Sequence, residues 1–163
     1  MRIERVILDA SPLIVLFKSG LDGLLPQLFT DIIVPDAVRR EVMASGSDDP
    51  AVIGLANAPW AVTVSDVPIP LVIAAWDLDA GESCVLAQAL QMIDARVVLD
   101  DRAARNCAKS LQIRTLGTVG VILLAKRRGL IDSVGSTIKK IADAGCWLSA
   151  EVIQAALVEA GEA

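Results

Sequence analysis

At 163 residues the chain has the length of one domain able to bury its own core, and its net charge of −5 opposes a long grip on duplex DNA, which needs many phosphate contacts. Histidine is absent, which excludes Ser-His-Asp and Cys-His catalysis and every histidine-containing metal site. Hydrophobic residues make up 54% of the chain while only 3% are aromatic, so the core must be aliphatic.

The apolar runs are broken by Asp, Arg, Pro or Gly before they reach the roughly 20 residues that span a bilayer, which predicts no membrane segment. The start, Met1-Arg2-Ile3-Glu4-Arg5, lacks the apolar region and cleavage site of a signal peptide, and a cytoplasmic location is the expectation. Cys84, Cys107 and Cys146 are widely spaced without any Cys-x-x-Cys pair, which argues against a disulfide framework or a zinc site.

In chain order, Arg5-Val6-Ile7-Leu8-Asp9 is a β-branched run predicting a strand, and Ser11-Pro12 reads as an N-cap followed by proline at the first helical position. Helix continues from Leu13 to Lys18 with Gly20 as its stop, and Leu21 to Phe29 allows a second short helix. Asp31 to Val34 reads as a buried strand, and a helix opens at Pro35-Asp36 and closes at Ser45-Gly46. A polar turn at Ser47 to Pro50 precedes a helix over Ala51–Asn57, a strand over Ala61–Ser65 and an extended linker at Val67 to Pro70.

A long helix runs from Asp79 to about Ile93, then Arg96 to Leu99 is a strand closed by Asp100, and Asp101 to Leu111 returns to helix. Ile113 to Leu116 is a short strand, Val119 to Arg128 a helix ended by Gly129, and two helices near Val134–Ala144 and Ser149–Glu159 finish the chain. Strands alternating with helices, and continuous apolar strands such as Val97-Val98-Leu99, predict one α/β domain over 1–163: a three-layer α/β/α sandwich around a mainly parallel sheet.

In such a sheet, ligands bind beyond the carboxyl ends of the strands, and Asp9 and Asp100 fall at two such ends. Each acid taken singly has an ordinary reading. Asp9 suits a turn, Asp100 and Asp101 suit helix caps, and Glu82 suits the positive end of the helix after Asp79. Glu41 lies beside the stripe of Val38 and Val42, where Arg39 or Arg40 offers an ion pair. Together the acids imply a cation, because crowded carboxylates repel. Without histidine the ligands are hard oxygens, which suit Mg²⁺ or Mn²⁺, and such an ion activates water and offsets charge on a phosphodiester.

Four motifs carry a family resemblance. Val6-Ile7-Leu8-Asp9-Ala10-Ser11 resembles the start of a PIN domain, a strand ending in Asp with a hydroxyl residue two positions on. Val34-Pro35-Asp36 through Glu41-Val42, Leu78-Asp79-Ala80-Gly81-Glu82-Ser83 and Val97 through Asp100-Asp101-Arg102 resemble its second, third and fourth acidic motifs, the third in the branch that writes Gly-Glu. The Gly117-Thr118-Val119-Gly120 and Ala125 to Leu130 stretches are similar to the same branch. The resemblance implies a metal-binding, catalytic set of Asp9, Glu41, Glu82 and Asp100 or Asp101, with Ser11 nearby. It further implies a ribonuclease similar to the toxin of a toxin-antitoxin pair, with a small antitoxin protein as partner and a homodimer as assembly; the apolar closing helices also suit a dimer contact.

Arg102, Arg105 and Lys109 recur at helical spacing after the fourth acid and read as a phosphate path for RNA or as a solvated face. The amides opening the helix at Thr118 offer a second phosphate site, and Lys126-Arg127-Arg128 suits the negative end of its helix. Trp60, Trp76 and Trp147 lack the interleaving of a base-stacking platform and read as core or interface. The rival classes are a catalytically weak PIN-like module that binds RNA or protein, and a phosphoacceptor receiver domain. The receiver needs a lysine after its last strand, which Leu116-Gly117-Thr118 lacks.

Overall fold

The computed structural model describes residues 4–163; the reading placed on Arg2 and Ile3 lies outside them. The chain folds as β1 (Arg5–Leu8), α1 (Ala10–Lys18), α2 (Leu24–Leu28), β2 (Asp31–Pro35), α3 (Asp36–Met43), α4 (Pro50–Ala56) and β3 (Ala61–Val64). It continues with α5 (Leu71–Ala74), α6 (Ala80–Gln91), β4 (Arg96–Val98), α7 (Arg102–Ser110), β5 (Arg114–Leu116), α8 (Thr118–Arg127), α9 (Val134–Asp143) and α10 (Ala150–Glu159).

The strands form one parallel sheet in the order β3-β2-β1-β4-β5, flanked by helices in three layers, as the alternating pattern predicts. β1 and β4 pair at its centre with Leu8 opposite Val98. Val6, Ile7, Leu8, Val97, Val98 and Leu99 are all fully buried, because helices cover both faces and leave no side that water could solvate. The chain moves away from β1 in one direction through β2 and β3, and from β4 in the other through β5. The crevice beyond the ends of β1 and β4 is therefore the topological switch point where open α/β sheets bind ligands.

Two local expectations are corrected. Helix α1 starts at Ala10 with Asp9 as its N-cap, so Ser11 and Pro12 stand inside the first turn. Proline fits anywhere in that turn because the first four amides have no intrahelical acceptor, so it does not fix the boundary. The linker at Val67 to Pro70 is extended, but it leads into α5, a one-turn helix whose only buried residue is Ile73. Among the described residues, no helix is long and apolar enough to cross a membrane.

Candidate active site

Asp9 is carried to the switch point by β1, whose pairing continues one residue further as the Asp9 amide donates to the Val98 carbonyl at 3.1 Å. The residue is 5% exposed and its side chain accepts no capping hydrogen bond. Glu41 arrives from α3, which packs on α6 and presents Val38 and Val42 to the core. Asp79 caps α6 by accepting from the Glu82 amide at 2.8 Å, and that turn places Gly81 and Glu82 beside the other acids.

Gly81 marks the centre of this group. A β-carbon there would meet Glu41 Oε2 at 2.8 Å, and Asp79 Oδ1 and Asp9 Oδ1 each at 3.6 Å. Three carboxylate oxygens thus surround a cradle that a side chain would fill. The ion-pair reading of Glu41 is not realised: Arg40 binds Asp66 at 2.9 Å, and Arg39 donates to Thr63 Oγ1 at 3.3 Å.

The electrostatics follow from that crowding. Burial pushes the Asp9 carboxyl from 3.8 up to about 7; the Ala10 amide opposes the rise, and the charges of Glu82, Asp79 and Glu41 add to it. Glu82 rises from 4.5 to about 7, first through desolvation and then through Asp79 and Asp101, with the Asp79 amide opposing and Glu41 adding. Glu41 stands at the exposed rim and is also raised, by desolvation of its carboxyl and by Asp79. No cationic side chain stands among the groups that lower the Asp9 or Glu82 pKa.

The Asp100–Asp101 pair divides. Asp101 caps α7 by accepting from the Ala104 amide at 2.9 Å, and its charge bears on Glu82. Asp100 turns to the opposite wall, where the Thr118 amide donates to Oδ1 at 2.7 Å and the Thr118 hydroxyl to Oδ2 at 2.6 Å. The expectation that the opening amides of this helix hold a phosphate is corrected at Thr118, because its amide already serves the Asp100 carboxylate. Ser11 is exposed on the first turn of α1.

Arg102, Arg105 and Lys109 are exposed along α7 and form no salt bridge among the described residues. Lys126, Arg127 and Arg128 instead pair with Glu162, Glu159 and Glu4. The sequence reading missed Asp79 as a member of the acid group. Its signal was the Asp-x-x-Glu spacing, which sets both carboxylates on the first turn of one helix.

Among the described residues, no group of three or more Asp, Glu or Cys side chains stands placed to hold a metal ion. The donor set nonetheless fits a hard divalent cation: every donor is a carboxylate oxygen, the acids lack cationic partners, and the Gly81 cradle leaves room at their centre. Magnesium in particular keeps several waters and uses few carboxylates, so an open site suits it.

A five-stranded parallel α/β/α sheet with carboxylates gathered at its switch point defines an α/β protein with an acidic site. A family model described as a PIN domain matches residues 5–162, and the chain belongs to that family. PIN domains are typically nucleases that use divalent metals, which places this chain as a nuclease-type domain with RNA as the class of partner. No curated protein matches the chain significantly.

Proposed function

We propose that the protein is a ribonuclease hydrolysing RNA phosphodiester bonds with Mg²⁺ or Mn²⁺, its site built from Asp9, Glu41, Glu82 and Asp101 in a single domain over 1–163. The observation that carries this is Asp9: a buried carboxyl without a hydrogen-bonded or cationic side-chain partner, ringed by three other acids. Such a group is costly unless a cation is its intended partner. Asp9, Glu41 and Glu82 would hold the ion, with Asp79, whose Oδ1 also faces the Gly81 cradle, and Asp101 adding negative charge beside it. When bound, the ion supplies positive charge to the phosphodiester and makes water a better nucleophile.

The chain's own groups do the positioning. The Thr118 hydroxyl and amide fix Asp100, and the next residue, Asp101, caps α7, the helix that carries Arg102, Arg105 and Lys109. Those cations bind substrate phosphates beside the acids. The finer reading is a toxin held in check by a small separate antitoxin and assembled as a homodimer, in keeping with the exposed Val158 on α10. Because the carboxylates do not close into a ready-made cage, the competing reading is a PIN-like module that binds RNA or protein without cutting.

Digestion of single-stranded RNA separates the two. The ribonuclease cuts with Mg²⁺ or Mn²⁺, spares the strand in EDTA and is silenced by Asp9→Asn. Binding without cutting under any divalent ion favours the module. Growth arrest on expression, relieved by a neighbouring small gene product, tests the toxin role.

A further inference from the structure

Next to the acids, a hollow of about 440 Å³ opens between two walls. One wall carries Asp100, Arg105 and Thr115, and the other Trp147, Leu148 and Val152. A second hollow of about 380 Å³ shares Arg105 and Thr115 and adds Lys109 and Arg114. The two hollows have Arg105 and Thr115 in common, at the β5 edge of the sheet, and the first also includes Asp100, the residue next to Asp101.

Trp147 is 84% exposed, although burying an indole is strongly favourable. Its display is built in. Cys146 and Leu148 on either side pack against the core, while Trp147 between them faces outward. The segment is held at both ends: the Cys146 amide donates to the Ile141 carbonyl at 3.0 Å, and Ser149 caps α10 through the Val152 amide at 3.2 Å. Among the described residues the one stacked aromatic pair is Phe17 with Trp60, so the face of Trp147 has no aromatic partner. Arg105, Lys109 and Arg114 form no salt bridge among the described residues, although the chain as a whole is acidic.

Arg105 donates to the Leu99 carbonyl at 3.5 Å and Arg114 to the Asp94 carbonyl at 2.9 Å, so their charges are held in place without being neutralised. An aromatic face beside cations that lack a carboxylate partner matches a nucleobase followed by its phosphates, and a stacked base must come from a single strand. We propose that this hollow takes a base of the RNA strand next to the scissile bond, stacked on Trp147, with the adjoining phosphates on Arg105, Lys109 and Arg114. The inference rests on the ribonuclease reading for its substrate and adds the subsite that grips it. The volume suits one nucleotide unit in a mixed apolar and polar cleft.

The test is anisotropy of a labelled ten-nucleotide single-stranded RNA at low salt in EDTA, where binding is read without cutting. Trp147→Ala weakens binding roughly 5- to 100-fold, the range for losing one stacked base, and Trp147→Phe restores most of it. Replacing bases one at a time by abasic ribose finds one position whose loss does not add to that of Trp147→Ala. Equal affinity of wild type and Trp147→Ala, additive losses at every position, or no binding by wild type each overturns the proposal. Digestion with Mn²⁺ in parallel keeps the two readings apart: a protein that cuts but ignores Trp147 loses the subsite alone, and one that binds through Trp147 but never cuts loses the ribonuclease alone.

Discussion

Asp9 and Asp100 leave adjacent central strands at the same end of the sheet, yet their surroundings are opposite. Asp9 is buried, has no side-chain cap bond and faces Glu82, Asp79 and Glu41, so its carboxyl is driven up to about 7. Asp100 is exposed, and each of its oxygens receives a hydrogen bond from Thr118. Position at a strand end therefore brings an acid to the switch point, and the local supply of donors decides what it does there. A carboxylate already satisfied by a hydroxyl and an amide is an anchor. One that is desolvated among like charges is waiting for a cation.

The sharpest way to break this comparison is to neutralise each acid. Asp9→Asn is expected to cut RNA cleavage by at least about a hundred-fold, roughly 2.7 kcal/mol of barrier. The same variant melts higher than wild type in EDTA, because it removes a charge from a crowded pocket, and its further rise with Mn²⁺ shrinks. The Asp9 side chain makes no capping hydrogen bond, so loss of a cap does not confound the result. Retention of the full wild-type Mn²⁺ shift would remove Asp9 from the site.

The second prediction uses pH. The Asp9 carboxyl is raised from 3.8 to about 7 in the folded protein, so the native state holds its proton more tightly than the unfolded chain. The stability from that proton is fully present below pH 3.8 and is lost as pH rises through about 7. Between pH 5 and pH 8 in EDTA, wild type should lose about 2–3 kcal/mol that Asp9→Asn does not lose, as read by urea unfolding. Glu82, raised to about 7 but partly exposed, adds a smaller share in the same direction. An identical pH dependence in the two proteins would show that Asp9 is not desolvated in solution.

Much of this site is legible in the chain before it folds. The apolar runs ending in Asp9 and Leu99 are too continuous for half-solvated strands, so their acids had to fall at the edge of a covered parallel sheet. What could not be read is how two adjacent acids share the work. Asp100 and Asp101 both suit a helix cap, and the choice is made by Thr118, 18 residues further on, which only the pairing of β4 with β5 brings to Asp100. Asp79 was hidden because capping explained it fully. The start of α1 was misplaced because Pro12 is tolerated anywhere in a first turn. Helix α5 is one turn whose stability comes from burying Ile73, which no local propensity announces.

The anchor side gives the third prediction. Thr118 is 1% exposed and gives Asp100 both hydrogen bonds. Thr118→Val keeps the shape and the amide bond but removes the hydroxyl, which should cost about 1–2 kcal/mol in urea unfolding because Asp100 stays partly solvated. The melting shift produced by Mn²⁺ should survive. If it vanishes with the hydroxyl, Asp100 belongs with the cation-binding acids and the division drawn here fails.

The smallest effect on stability is expected at the centre of the acid group. Gly81 lies in the first turn of α6, where alanine is favoured over glycine by roughly 0.5–1 kcal/mol if nothing obstructs it. The added β-carbon would meet Glu41 Oε2 at 2.8 Å, too close to remain, but that atom is the end of a flexible, exposed side chain that can swing away. The clash and the helix preference therefore nearly cancel, and Gly81→Ala should melt within about 1 kcal/mol of wild type in EDTA. Function should not be spared in the same way, since the methyl group occupies the cradle and moves the Glu41 carboxylate off the position it shares with Asp9 and Asp79. The Mn²⁺ melting shift and RNA cleavage should both fall while the fold holds. A variant that binds Mn²⁺ and cuts RNA like wild type would show that the cation sits elsewhere than over Gly81.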